Sequence, residues 1–404
     1  MLVLEYKIKA KKLQYLAIEE AIKTTQFIRN KCLRYWMDAP KEAKIDRFAL
    51  NKYSTELRNE FKFVANLNSM AVQSSAERAW LAISRFYASV AVASPRASNC
   101  KKKISGKKGY PRFQHDNRSV EYKTSGWKIN PIKRRITITD KKGIGELKLL
   151  GKWDIQTYPA KSIKRVRLVR RADGYYCQFC IDVEVSDIQP MTGNEIGLDV
   201  GIESFYTDSN GHQETNPKFL RKVEKSVKHA QRRIYKKKKG SSGRKKARAI
   251  FAKKHLRISR QRNEHAKKIA RNVCKSNDLV AYENLQMRNL LKNHCLAKSI
   301  SDASWYLFRQ WIEYFAGKFG KLAVAVAPHY TSQQCSNCGV IVKKSLSTRT
   351  HVCSCGCELH RDENAAINIL NLARQARDGQ SQSNAVGLVA ATLLGESLLE
   401  QVTR

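Results

Sequence analysis

The chain has 404 residues and sets 76 Lys or Arg against 35 Asp or Glu, a net charge of +41 with a pI near 10.0. Its 42% apolar content supports folded cores, and its length exceeds what one core usually serves, so two to four domains are expected. The charge excludes an acidic or neutral solubility surface and points to a polyanionic partner, nucleic acid ahead of anionic lipid. No apolar run is long enough to span a bilayer, the opening MLVLEYKIKAKK is too short for a signal peptide, and AVGLVAATLL at 385–394 is too short to span. A cytoplasmic location is therefore expected. Disulfides are rare there, so eleven cysteines point to a metal site plus scattered core thiols.

In chain order, residues 1–10 alternate apolar and polar and predict a strand. Leu13, Leu16, Ile22, Phe27, Ile28 and Leu33 predict a helix over 11–37, and a second helix is expected over 67–93. KKKISGKKGYPRF at 101–113 breaks the pattern and reads as a loop. Beyond it the period becomes two, with strands expected at 133–139, 146–150 and 162–171, the last turning through Ala-Asp-Gly into 175–185. This gives a split β-rich unit, 1–10 and 114–190, interrupted by a helical insertion over 11–113. Residues 195–211 read as two strands, and 217–275 as two helices around a GSSG tip at 240–243. Within 221–270 there are 21 Lys or Arg and two acids, Glu224 and Glu264. A strand over 278–284, a helix over 302–319, a strand over 321–328 and a helix opening near Glu363 complete an alternating α/β pattern. Residues 376–404 turn to Gly, Gln, Ser and Asn and read as a mobile tail with one weak helix over 385–401.

Cys335 and Cys338 have the C-x-x-C spacing of a zinc knuckle, and after fourteen intervening residues come Cys353, Cys355 and Cys357. Gly339 after Cys338 matches Gly356 after Cys355, which makes Cys353 and Cys355 the expected third and fourth ligands of one structural Zn²⁺. Cys357 competes for that place, and His351 and His360 do so more weakly. Cys177 and Cys180 share the spacing but sit inside a strand, where they would face opposite ways, so they read as core thiols.

Three acids each sit beside an apolar strand or at a helix start: Asp199 in IGLDVG, Glu283 at the end of LVAYE, and Asp362. If a sheet brought them together, their mutual repulsion would call for hard cations, and a pair of Mg²⁺ ions would suit phosphodiester hydrolysis. Each also has an ordinary account, as a helix cap or a strand-end acid paired with Lys or Arg. Asp302 reads as a helix cap.

The order GLDVG, YENL, SISDASW, YTSQQCSNCG and CGCELHRDENAAINI resembles the TnpB family, encoded by bacterial insertion sequences and related to miniature type V CRISPR effectors. The resemblance covers about 195–375, and KGYPRF at 108–113 also fits upstream. It implies a multidomain α+β protein: an RNase H-like (RuvC) α/β nuclease domain over 191–332 and 360–375, and a zinc-ribbon insert over 333–359. It also implies an N-terminal β-barrel-like wedge interrupted by a helical recognition lobe. The family's catalytic, Mg²⁺-binding trio falls on Asp199, Glu283 and Asp362, and its zinc ligands on Cys335, Cys338 and the Cys353/Cys355 region. The implied partners are a guide RNA from the transposon end and target double-stranded DNA cut beside a short motif, with no membrane and a monomer expected in the bacterial cytosol.

Two departures stand out: His360 replaces the first Asp of the usual Asp-Arg-Asp, and the second knuckle is irregular. The resemblance lays the basic helix pair along a nucleic-acid channel. It makes Lys107, Lys108, Tyr110, Arg112, Tyr122, Lys236, Lys237, Lys238, Arg244, Lys245 and Arg361 candidate contacts. Tyr110, Phe113, Tyr122 and Trp127 could stack on bases or serve as core aromatics. Rival readings are a non-cleaving nucleic-acid-binding regulator and a transposase using the same acids for strand transfer.

Overall fold

A computed structural model describes residues 2–40, 42–93, 109–151, 155–183, 186–345 and 348–381. The chain is a multidomain α+β protein with two compact units, Met1–Glu184 and Val185–Arg404. Lys107, Lys108, Cys100 and residues 382–404, with the helix expected over 385–401, lie outside the described residues.

In the first unit, strand β1 (Leu2–Lys9) leads into α1 (Lys12–Asp38), α2 (Arg47–Glu60), α3 (Lys62–Ala65) and α4 (Ser69–Ala93). Six strands follow: β2 (Ser119–Lys123), β3 (Trp127–Asn130), β4 (Arg135–Ile138), β5 (Gly145–Leu150), β6 (Ile163–Arg171) and β7 (Gly174–Ile181). They form one antiparallel sheet in the order β2-β6-β7-β1-β5-β4-β3, and Leu4, Tyr6 and Ile8 of the alternating β1 point into its core. The buried stripe of α1 runs through Ile18, Ile22, Ile28, Cys32 and Trp36. Leu13 and Leu16, counted toward that stripe from the sequence, are 77% and 57% exposed, which accounts for the imperfect period.

Helix α2 and strands β2 and β3 were not foreseen. β2 hides because its buried run, Val120-Glu121-Tyr122, contains an acid and does not alternate. Tyr122 is completely buried and its hydroxyl donates to Asp140 at 2.9 Å, while Trp127 is also buried. For both, the core alternative replaces base stacking in this structure. Cys177 and Cys180 are buried thiols of β7.

Glu121 joins the helices to the sheet. It is only 3% exposed and meets Arg78 of α4 and Arg165 and Arg167 of β6, the last at 2.5 Å. Burial works to raise its pKa, but Arg78, Arg167 and Arg165 overcome burial and hold the carboxyl down at about 2.

The second unit carries a five-stranded sheet in the order β10-β9-β8-β11-β12. Its strands are β8 (Glu195–Asp199), β9 (Ser204–Asp208), β10 (Gln213–Thr215), β11 (Leu279–Glu283) and β12 (Leu322–Val326). β8, β11 and β12 run parallel, while β9 and β10 are antiparallel. Between β10 and β11 stand α5 (Phe219–Tyr235) and the long α6 (Ser242–Ser276), joined at the Gly-Ser tip. Then come α7 (Met287–Leu290), α8 (Ala297–Ala303) and α9 (Trp305–Phe319). Ile196, Leu198, Val280 and Tyr282 share a core with Phe308, Ile312 and Phe319 of α9 and with Ala270 and Val273 of α6. The last helix, α10 (Arg361–Ser381), packs with Ile369, Leu370 and Ala373 against Leu279, Ala281 and Val326. It runs past Ala376, where a tail was expected.

Asp302 is a cap, though of a helix distant in sequence. Helix α5 starts after Lys218, which is left-handed and supplies no side-chain cap. Asp302 accepts from the backbone N–H groups of Leu220 and Arg221 at 2.9 and 3.2 Å, and Arg262 of α6 holds the same carboxylate at 2.8 Å. One acid thus ties α5, α6 and α8 together.

Glu121→Gln is expected to destabilise the first unit by about 1–3 kcal/mol at neutral pH, because it removes the buried negative charge that Arg78, Arg165 and Arg167 share. The native Glu121 has a depressed pKa, so its stabilisation is full above the ordinary 4.5 and is lost as pH falls toward about 2. Chemical denaturation from pH 7 to 2 should show that loss in the wild type and a flatter profile in the variant.

Candidate metal and nucleic-acid site

The parallel register places the two strand acids. Leu198 pairs with Tyr282, so the next residues, Asp199 and Glu283, are neighbours at the carboxyl ends of adjacent parallel strands. Side chains alternate along a strand, so Glu195, Gly197 and Asp199 face one side of β8, the side opposite Ile196 and Leu198. Helix α10 covers that side antiparallel to the strand. Arg374 and Arg377 pair with Glu195 at one end, Ala366 and Leu370 meet Gly197 in the middle, and Asp362 lies at the other end. A Cβ on Gly197 would stand 2.0 Å from the Ala366 carbonyl oxygen, so only glycine permits this contact.

Asp199, Glu283 and Asp362 are therefore brought together from three elements. Burial, then the charges of Glu283 and Asp362, push the Asp199 pKa well up, and Arg361 pulls against them. Burial raises Glu283 also, opposed by a 2.5 Å hydrogen bond from the Thr331 hydroxyl. Three carboxylates gathered in one place, with Asp199 and Glu283 raised by burial, offer an all-oxygen donor set that fits a hard divalent cation. Arg349 bridges Glu203 at 2.8 Å and Asp362 at 3.8 Å. Its own carbonyl accepts from the Arg361 N–H at 2.6 Å. His360 accepts from the Asp362 N–H through Nδ1 at 3.3 Å, so the departure at 360 serves as a cap at the start of α10.

The cysteines stand next to these acids in the chain and are braced by the same helix. Each knuckle turns through a left-handed glycine, Gly339 (φ 78°) and Gly356 (φ 85°). The sulfurs of Cys335, Cys338, Cys353 and Cys355 lie within 4.8 Å of one another, with Cys335–Cys355 at 3.7 Å and Cys338–Cys353 at 3.5 Å. Ligands at about 2.3 Å around a tetrahedral ion would stand about 3.8 Å apart, so the cluster fits Zn²⁺. Cys335, His351 and Cys357 form a second such set. The knuckle loop is clasped by α10: Asn364 donates to the Gln334 carbonyl at 2.7 Å and accepts from the Ser336 N–H at 2.9 Å. Asn368 donates to the carbonyls of Thr331 and Gln334. Thr331, Arg349, Asn364 and Asn368 escaped sequence reasoning. The i, i+4 spacing of the two asparagines inside an apolar helix was the available signal.

Lys236, Lys237, Lys238 and Lys245 are exposed at the α5–α6 tip, where Arg244 lies over Tyr235 and donates to the Lys237 carbonyl. Arg112 is exposed, Tyr110 packs against Trp36 and Phe86, and Arg34 lies over Phe113. Arg361 is half-buried near the acids and donates to the Ser345 carbonyl.

Residues 178–294 match a family described as "Probable transposase", and residues 305–369 match the Cas12f1-like TNB domain. A Streptomyces pristinaespiralis protein named "Putative RNA-guided DNA endonuclease" is 40% identical over 183 residues, 45% of this chain and 46% of that protein. The Escherichia coli K12 protein "Putative RNA-guided DNA endonuclease InsQ" is 28% identical over 225 residues, 52% of this chain and 56% of its own length. "TnpB-like protein L79" of Acanthamoeba polyphaga mimivirus is 26% identical over 193 residues, 44% of this chain and 37% of that protein. The chain thus spans about half the length, or less, of the curated relatives it matches. A solved Cas12f1–sgRNA–target DNA complex aligns over 92% of this chain and 98% of that one, at 15% identity and a TM-score of 0.34.

Gly197→Val is expected to lower the stability of the second unit by at least about 1–3 kcal/mol through overpacking against α10. Gly243→Ala, with only the end of Lys237 within reach, should cost little. Denaturant unfolding of the two variants checks the contrast.

Proposed function

We propose that this chain, a member of the TnpB family, is a transposon-encoded, RNA-guided endonuclease that hydrolyses phosphodiester bonds of double-stranded DNA. The convergence of Asp199, Glu283 and Asp362, with Asp199 raised by burial and then by the charges of the other two, carries this reading. The second unit takes the role of a RuvC-like nuclease domain of RNase H type, with residues 333–359 as its zinc-binding insert. Asp199, Glu283 and Asp362 would hold two Mg²⁺ ions. Bound there, the ions supply the positive charge that activates water and steadies the departing oxygen. Thr331 fixes the orientation of Glu283, and α10 fixes that of Asp362. Arg349, beside Asp362, is placed to meet a phosphate. Residues 1–10 and 114–190 would act as the wedge that grips RNA and the target-adjacent motif, and 11–113 as the recognition lobe. The exposed lysines of the α5–α6 tip would neutralise phosphates without reading sequence, so specificity would come from base pairing with the guide. Among the described residues no helix is long and apolar enough to cross a membrane.

Strand transfer is the second reading, favoured by the family description "Probable transposase". The two readings differ in product: cut DNA with free ends, or joined strands. The chain expressed from its own locus should co-purify with a discrete RNA and cut DNA matching that RNA. Asp199→Ala should lose cleavage by more than about 10³-fold while retaining the RNA. Cleavage by the variant at the wild-type rate, or absence of a discrete RNA, would sink the proposal. Cys338→Ser should lose zinc by elemental analysis and lower cleavage by loosening the loop that Asn364 and Asn368 hold.

A further inference from the structure

Two sets of metal-binding side chains meet at one sulfur. Cys335 belongs to the four-cysteine set and also to a set with His351 and Cys357, in which the ligand atoms again lie within 4.8 Å of one another. One tetrahedral ion is satisfied by four cysteines, which leaves His351 and Cys357 unused. His351 is completely buried on β13 (Thr350–Val352), and its Nε2 has no hydrogen-bond partner. The Cys335 sulfur lies within reach of this imidazole, and one ion shared by the two would satisfy both. Cys357, just before β14 (Glu358–His360), lines an open cleft of about 420 Å³ with Ser336 and Glu358, so the outer side of this set is reachable from solvent.

We propose that Cys335, His351 and Cys357 form a second site for Zn²⁺ or another thiophilic divalent ion. The Cys335 thiolate bridges the two ions, and a solvent molecule from the cleft completes the second coordination shell. The proposal rests on the zinc reading of the four-cysteine set. Three ligands of thiolate and imidazole type with one open position suit zinc-like ions over Mg²⁺ or Ca²⁺. Ligation through Nε2 puts the ring proton on Nδ1, so the Lys344 ammonium, which meets Nδ1 in this structure, swings out to solvent on loading. A second ion would pin the β13–β14 ribbon to the first knuckle. That ribbon delivers Arg349 to Asp362, because Thr350 pairs with His360 and the Arg349 carbonyl holds the Arg361 N–H.

The test is a Co²⁺ titration of the metal-stripped full chain in a Cys100→Ser, Cys295→Ser background, read by thiolate-to-cobalt charge-transfer absorbance, to which carboxylate-bound cobalt contributes nothing. Two equivalents are expected in that background, the second binding more weakly. One equivalent is expected in Cys357→Ala and in His351→Ala. A single equivalent with the same spectrum in the background chain and in Cys357→Ala overturns the second site and leaves the four-cysteine reading standing. A single equivalent that Cys357→Ala abolishes and Cys355→Ala leaves intact overturns both the bridge and the four-cysteine assignment. No thiolate-bound cobalt at all overturns both as well. Zinc content of the chain as purified, measured per mole of protein, gives the same distinction without cobalt.

Discussion

Helix and sheet of the second unit approach each other closely where β8 has no side chain. At Gly197 the backbone of α10 comes so near that a methyl group would overlap the Ala366 carbonyl. This approach sets the height of the helix above the sheet. The ion pairs of Glu195 with Arg374 and Arg377 set its direction, antiparallel to the strand. With height and direction fixed, the first turn of α10 must come down beside the carboxyl end of β8, where Asp199 stands. The meeting of Asp362 with Asp199 follows from packing of groups that do no chemistry themselves.

Around that contact the polar groups are arranged so that few parts can shift alone. Asn364 and Asn368 extend from α10 to the loop that opens the cysteine insert. The same loop presents Thr331 to Glu283. The far side of the insert returns as the β13–β14 ribbon, which sets Arg349 beside Asp362. The insert is thus clamped at both ends to the helix and strand that carry the acids. Buried amide and carbonyl groups are costly to leave unpaired, so these bonds resist displacement more than their number suggests.

Charge is handled in opposite ways in the two units. In the first, one buried acid is surrounded by arginines, which hold its pKa far down. In the second, three acids are gathered together, and burial, then the charges of Glu283 and Asp362, raise the pKa of Asp199 against the pull of Arg361. The first arrangement satisfies itself, whereas the second is electrostatically incomplete in a chain with a net charge of +41. Asp302 shows a third arrangement, in which one acid offsets the N-terminal dipole of α5 and the charge of Arg262 at once.

Much of this was legible in the residues. Alternation marked β1 and β6, and the long Gly-free basic stretches marked α5 and α6 on either side of the tip. These signals are local, because side-chain period and turn chemistry act over a few residues. The repeated Cys–Gly steps gave the four sulfurs that the structure gathers. Resemblance selected Asp199, Glu283 and Asp362 from a chain with many other acids. Other features were hidden because their causes are not local. Glu121 interrupts the apolar pattern of β2, and its reason, three arginines, comes from a helix and a strand far away in the chain. Tyr122 reads equally as a stacking ring or a core ring until the sheet closes over it. Thr331 and Arg349 look like ordinary loop residues until α10 and the cysteine ribbon carry them to the acids. The residues alone established the charge, most of the periodic elements, and the residue types able to hold two kinds of metal. Which acids meet and which sulfur is common to two ligand sets emerge in the folded chain alone, because strand register, helix height and the turns of the cysteine insert are set by contacts between segments separated in sequence.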